Sequence, residues 1–269
     1  MTTRKNIVIK PESLPRERSD IPGSEMSSSF LSTIDSFLRC LDAKQSILFD
    51  LTELGWITPI EIVTLVCAIR KAAESQIFCN VKMPGSENLA LMWTLHNYRF
   101  AQQLGALIKS EPWQKQIHFD NYRPPSRDIS DLNAERKVLP ISWIDYTTFG
   151  YQNPPSNLYL EDPEFTPEYV RFLKAILSRH GFVVEDTIDD FVRGVLREIG
   201  WNAVIHSNNG KSPGFAAFAG QIFDDTQTLH FALADAGCGI AANLTKPYKL
   251  ALKQGKIPNY QHEYACTGE

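Results

Sequence analysis

The chain has 269 residues, of which 43% are hydrophobic and 22% charged, and its formal net charge is −4. That length allows two ordinary domains, and the near-average hydrophobicity is that of a soluble globular chain. The slightly acidic balance offers no broad basic field for nucleic acid or an anionic membrane. The best apolar run, from Ile57 to Ile69, is broken by Thr58, Pro59, Glu61 and Thr64, so no membrane span is expected.

Residues 1–29 are polar and punctuated by Pro11, Pro15, Pro22 and the serines Ser27–Ser29. They predict a loosely ordered lead-in with one short strand at Asn6–Ile9. They lack the apolar core and cleavage site of a secretory signal. The five cysteines, Cys40, Cys67, Cys79, Cys238 and Cys266, are scattered and never spaced as CxxC. Reduced thiols in a cytoplasmic protein fit that pattern better than a disulfide framework or a zinc site, and three of them read as small core residues.

A small domain is expected over residues 30–115. Phe30, Leu31, Ile34, Phe37, Leu38 and Leu41 have the spacing of an amphipathic helix. Ser46–Leu51 is a short apolar strand. Pro59–Ser75 opens on a first-turn proline and sets Ile62, Leu65, Val66 and Ile69 on one helical face. Gln76–Met83 is a second strand, ended by Pro84–Gly85, and Glu87–Leu104 reads as a further helix. Strands alternating with helices predict a parallel sheet with crossover connections. The strand ILFDL, the turn TELGWITP and the helix EIVTLVCAIRKA together resemble the STAS-like domains of anti-sigma-factor antagonists. That resemblance implies a small α/β domain. In the family a phosphorylatable serine follows an aspartate at the head of the first helix. Here the turn is Ile57-Thr58-Pro59, and Thr58 reads as the start of the helix.

Residues 116–160 are rich in proline and aromatics, including Pro124, Pro125, Pro140, Trp143, Tyr146, Phe149 and Tyr151. A linker of this composition is expected to drape over a core. The strand-like run Lys137–Ile144 could join either sheet.

The second domain, residues 161–269, carries the chemistry. Thr166-Pro167-Glu168 is a capped helix start, with Val170, Leu173, Ile176 and Leu177 as its buried face. Another helix begins near Thr187, where Thr187 and Asp190 have capping-box spacing. Its apolar stripe is Ile188, Val192, Val195, Ile199 and Ala203. Glu198, Asn202 and His206, each four residues apart, form a polar stripe beside it and point in one direction. Two strands follow, Gly214–Phe223 and Thr228–Ala234. The second runs straight into Asp235-Ala236-Gly237-Cys238-Gly239, where glycines let backbone approach a ligand and one carboxylate accepts a hydrogen bond.

The runs REIGWNAVIHS, Arg197–Ser207, and ADAGCGI, Ala234–Ile240, resemble the N box and first glycine box of the GHKL superfamily of gyrase, heat-shock ATPase chaperones and histidine kinases. The ending NAVIHS is most similar to the serine-kinase anti-sigma factors. The resemblance implies a two-layer α/β sandwich that binds ATP or ADP with Mg2+. It implies that Asn202 coordinates the metal, Glu198 acts as the catalytic general base and His206 lies near the phosphates. It further implies that Asp235 receives the adenine amino group and that Gly237 and Gly239 let the chain turn over the nucleotide.

The family's second glycine box, whose amides cradle the phosphates, is not found between Asn243 and Glu269, so the domain is expected to be incomplete at its C-terminus. Lys246, Lys249, Lys253 and Lys256 could supply compensating charge. The function expected is a nucleotide-binding regulator acting through a protein partner, with neither nucleic acid nor membrane involved and a homodimer left open. The alternatives are an active serine/threonine kinase or ATPase, and a pseudo-ATPase scaffold. A sensor histidine kinase is disfavoured, because no long dimerisation helix bearing a phosphoacceptor histidine precedes the domain.

Overall fold

The computed structural model describes residues 7–9, 45–107, 109, 111–123, 138–153, 164–179, 189–206, 214–223 and 228–237. The expected helix over Phe30–Leu41, the helix start at Thr187 and the stretch beyond Gly237 lie outside them. The chain is a mixed α/β protein with one parallel and one antiparallel sheet. Two compact units form. The first comprises Met1–Ser142, Ile176–Gly181 and Ala217–Ala234; the second comprises Trp143–Ala175, Phe182–Ala216 and Asp235–Glu269.

In the first unit, β1 (Ile7–Ile9), β2 (Ile47–Asp50), β3 (Cys79–Lys82) and β4 (Ile117–Asp120) form a parallel sheet in the order β1-β2-β3-β4. Ile47 pairs with Cys79 and Cys79 with Ile117, so alternate residues line up across the sheet. Ile47, Phe49, Cys79 and Val81 point to the buried side. The alternate positions Val8, Leu48, Asn80, Lys82, His118 and Asp120 share the other side, where Val8 is 52% exposed. Topology accounts for this asymmetry. Strands that advance steadily in one direction, joined by right-handed crossovers, receive every helix on the same face. Polar pairs occupy the second face: Lys82 Nζ lies 3.3 Å from Asp50 Oδ2, and Asn80 donates to Asp120. Burial pushes the Asp50 carboxyl pKa upward, but hydrogen bonds from Thr52 and Lys82 outweigh it and leave the group below its ordinary value.

Helix α1 (Pro59–Glu74) begins where Thr58 closes a capping box. The Thr58 hydroxyl accepts from the Glu61 backbone N–H at 3.4 Å and donates to Glu61 Oε2 at 2.9 Å, and that same oxygen accepts from the Thr58 N–H at 2.9 Å. Thr58 is 8% exposed, and its hydroxyl is committed to holding the helix end. Thr58→Ala is therefore expected to cost about 1 kcal/mol. Urea unfolding would measure it, and an unchanged midpoint would mean that the box contributes nothing.

Helix α1 is apolar nearly all round, with Ile62, Val63, Leu65, Val66 and Ile69 each at most 1% exposed. A helix of that kind must be covered on two sides. On one side Cys79 of β3 brings its sulfur to 3.9 Å from the Ile69 carbonyl, and on the other the Cys67 thiol donates to the Ala234 carbonyl at 3.2 Å. The expected single helix over Glu87–Leu104 is broken into α2 (Leu89–Asn97) and α3 (Phe100–Gln103). Arg99 takes a left-handed conformation with φ 57 between them, a departure costing on the order of 1–2 kcal/mol. The break turns the chain at Tyr98, whose ring is fully buried.

The antiparallel sheet has the order β5 (Val138–Ile144), β6 (Ala216–Phe223), β7 (Thr228–Asp235). The run whose partner the sequence left open thus joins the C-terminal hairpin. In the second unit, α4 (Pro167–Arg179) starts at Thr166, whose hydroxyl accepts from the Tyr169 N–H at 3.3 Å. Val170 and Leu173 are buried on it, as expected. Phe149 stacks on Phe165 at 4.8 Å and meets Trp201 edge-on at 5.0 Å, and Tyr151 stacks on the same indole at 6.1 Å. No helix among the described residues is long and apolar enough to cross a membrane.

Candidate functional site

The helix that carries Glu198 and Asn202 does not have one uniform pitch. Phe191–Leu196 is a π-helical turn, and α5 (Arg197–His206) continues from it as α-helix. A π turn bonds i to i+5 and takes in one extra residue, which rotates everything beyond it by roughly 100° relative to a continuous α-helix. The expected apolar stripe is corrected accordingly. Val192 and Ala203 are buried, but Val195 and Ile199 are each 46% exposed, and the buried line runs instead through Val192, Leu196, Gly200 and Val204. Gly200 permits a close approach to β5, because a Cβ there would stand 2.9 Å from Ile144 Cγ2.

The outward face of α5 therefore holds Glu198 and Asn202 one turn apart, both exposed, beside Val195 and Ile199. Glu198 is engaged by the Arg197 guanidinium, which also lies 3.6 Å from Glu164. His206 is the last residue of α5. The Gly214 N–H donates to the Val204 carbonyl at 2.6 Å, tying the end of the helix to the start of the hairpin.

Asp235 is the last residue of β7 and is exposed. Its Oδ1 accepts from the Gly237 N–H at 2.6 Å, the local turn expected where an aspartate leads a bend. That leaves Oδ2 and the outer lone pair of Oδ1 able to accept from a ligand. Asp235 belongs to the same compact unit as Glu198 and Asn202, and no hydrogen bond or ion pair among the described residues joins it to either. Gly237 is half-buried, while Gly239 and the four lysines after it lie outside the described residues.

Among the described residues no group of three or more His, Cys, Asp or Glu side chains is placed to hold a metal ion. A magnesium ion at Asn202 would thus take its remaining ligands from phosphate oxygens and water, as this ion often does. Cys67 and Cys79 are buried, and burial pushes the Cys79 thiol up to about 12, which makes it an inert core residue.

Sequence reasoning missed the ion-pair network beside α5. Lys174 Nζ lies 2.7 Å from Asp189 Oδ1, Arg193 lies between Asp189 and Glu164, and Arg197 reaches Glu164 as well. The i, i+4 spacing of Asp189, Arg193 and Arg197 was the available signal. Comparison with family models, with curated proteins and with solved structures finds no match to this chain.

Proposed function

We propose that the chain is a regulatory signalling protein of the GHKL type that binds Mg-ATP or ADP and acts through a protein partner. The observation that carries this reading is the order of parts around one short run of chain. A helix displays an exposed carboxylate and an exposed amide one turn apart, a hairpin follows, and an exposed aspartate ends its last strand ahead of Gly237. Asn202 would hold the metal through its amide oxygen, and Asp235 would accept the adenine amino group. A guanine carbonyl at that point would meet the aspartate without a proton between them, which selects adenine.

Binding is favoured over turnover. The carboxylate proposed as general base, Glu198, is held by Arg197, and a base engaged by a guanidinium must give up that contact to take a proton.

Calorimetric titration with MgATP and MgADP tests the site. Wild type is expected to bind, and Asp235→Ala and Asn202→Ala are each expected to weaken binding about tenfold or more, the loss of one charge-assisted or metal contact. Both residues are exposed, so neither change should unfold the protein. Equal heats from all three proteins would refute the site. Rapid phosphate release that disappears in Glu198→Ala would replace the regulator by an ATPase.

A further inference from the structure

Arg197 is the anchored member of the charged group at the head of α5. Its side chain is 15% exposed, against 56% for Glu198 and 57% for Glu164. Its Nε donates to the Arg193 carbonyl at 3.0 Å, which fixes the guanidinium to the preceding turn of the helix. One end of the guanidinium, Nη2, engages Glu198, and the other, Nη1, lies 3.6 Å from Glu164. A closed guanidinium–carboxylate pair settles at about 2.8 Å, so the Glu164 pair stands open by roughly 1 Å.

The two acids are therefore exposed and able to turn, while the cation between them is held. Contact with Arg197 occupies a Glu198 oxygen and stabilises it as a spectator ion. Should Glu198 swing toward a ligand, the guanidinium keeps the Arg193 carbonyl and closes on Glu164. No largely buried cation is then stripped of its acceptors, which is the costly outcome when such a pair is broken. Detaching Glu198 is cheap for that reason.

We propose that Arg197 is a latch that regulates the nucleotide site by holding Glu198 out of use, with Glu164 as the acceptor that takes over on release. This inference rests on the reading of Glu198 and Asn202 as parts of a Mg-ATP site. Latched, the chain binds nucleotide without consuming it. Unlatched, Glu198 takes a proton from a water that attacks the terminal phosphorus of ATP. The bond from that phosphorus to the bridging oxygen breaks, and ADP leaves with the electron pair. Arg197 acts through Glu198 and is a positioning residue.

The latch is tested first in the full chain without nucleotide. Nitrogen-15 NMR of the arginine side chains reads how fast the Arg197 guanidinium turns. Glu198→Ala should speed that motion, and adding Glu164→Gln should speed it again; no change at either step overturns the proposal. The second measurement is single-turnover phosphate release from MgATP. Arg197→Gln should raise it about tenfold, the loss of one charge-assisted contact to Glu198. Arg197→Lys, which keeps charge but not the fork, should raise it less. Adding Glu198→Gln to Arg197→Gln should abolish the gain, whereas a merely structural arginine would give slower release when replaced. Release no faster in either Arg197 variant than in wild type overturns the latch, as does loss of folding in both. Calorimetry keeps the two questions apart. No MgATP binding by wild type refutes the nucleotide reading and the latch with it, while normal binding with unchanged release in Arg197→Gln refutes the latch alone.

Discussion

Phe149→Ala is expected to destabilise the second unit by about 3–5 kcal/mol, the range for emptying a buried aromatic site. Phe149 is 7% exposed and has two ring partners, Phe165 at 4.8 Å and Trp201 at 5.0 Å, and Tyr151 stacks on the same indole. Removing the ring forfeits its transfer free energy and leaves a void that both neighbours border. Ring–ring geometry adds roughly 0.5–1.5 kcal/mol beyond area for such pairs. Trp201 sits on α5, so the same loss should loosen the helix that bears Glu198 and Asn202. Urea unfolding followed by tryptophan fluorescence checks the figure. A loss below 1 kcal/mol would show that the cluster is not the core of this unit.

The second large effect is expected in the first unit, at Tyr98. Its ring has no exposed surface, and its hydroxyl lies 3.3 Å from Gln221 Oε1, to which it donates. Its carbonyl accepts from the Ile141 N–H at 3.0 Å. One residue thus connects the helices of the parallel layer to β5 and β6. Burial raises the phenol pKa far above its ordinary value, which favours the protonated, donating hydroxyl. Tyr98→Ala should cost about 3–5 kcal/mol, as for other large buried rings. Tyr98→Phe should cost about 1–3 kcal/mol, because Gln221, 9% exposed, loses its donor in a dry setting. Adding Gln221→Leu to Tyr98→Phe should recover part of that loss, since an apolar pair of similar shape has nothing left unpaired. Thermal and urea unfolding of the three variants measure the cycle. If Tyr98→Phe and wild type are equally stable, the hydrogen bond is not the link between the layers.

The local elements were written plainly in the chain. The proline at the head of α1, the alternation in Cys79–Lys82 and the Thr166-Pro167 start of α4 each depend on neighbours within one or two turns, so their chemistry is visible without a fold. The strand at Ile7–Ile9 and the hairpin of β6 and β7 were legible for the same reason. Glu198 and Asn202 could be seen to share one face from their spacing alone.

What faced the core could not be read so directly. The stripe through Val195 and Ile199 assumes a constant 3.6-residue period, and one π turn moves the buried line to Leu196, Gly200 and Val204. That turn has no local sequence signature; beyond it Trp201 meets Phe149 and Gly200 lies against Ile144. The break at Arg99 is of the same kind, imposed by burying Tyr98 rather than by any residue that prefers a left-handed backbone. The sheet joined by β5 and the Glu164 carboxylate, 3.6 Å from both Arg193 and Arg197, depend on residues distant in the chain. Periodicity and capping are short-range and therefore belong to the sequence. Helix phase and sheet partner are settled by which distant surfaces pack together, and only the tertiary structure decides them.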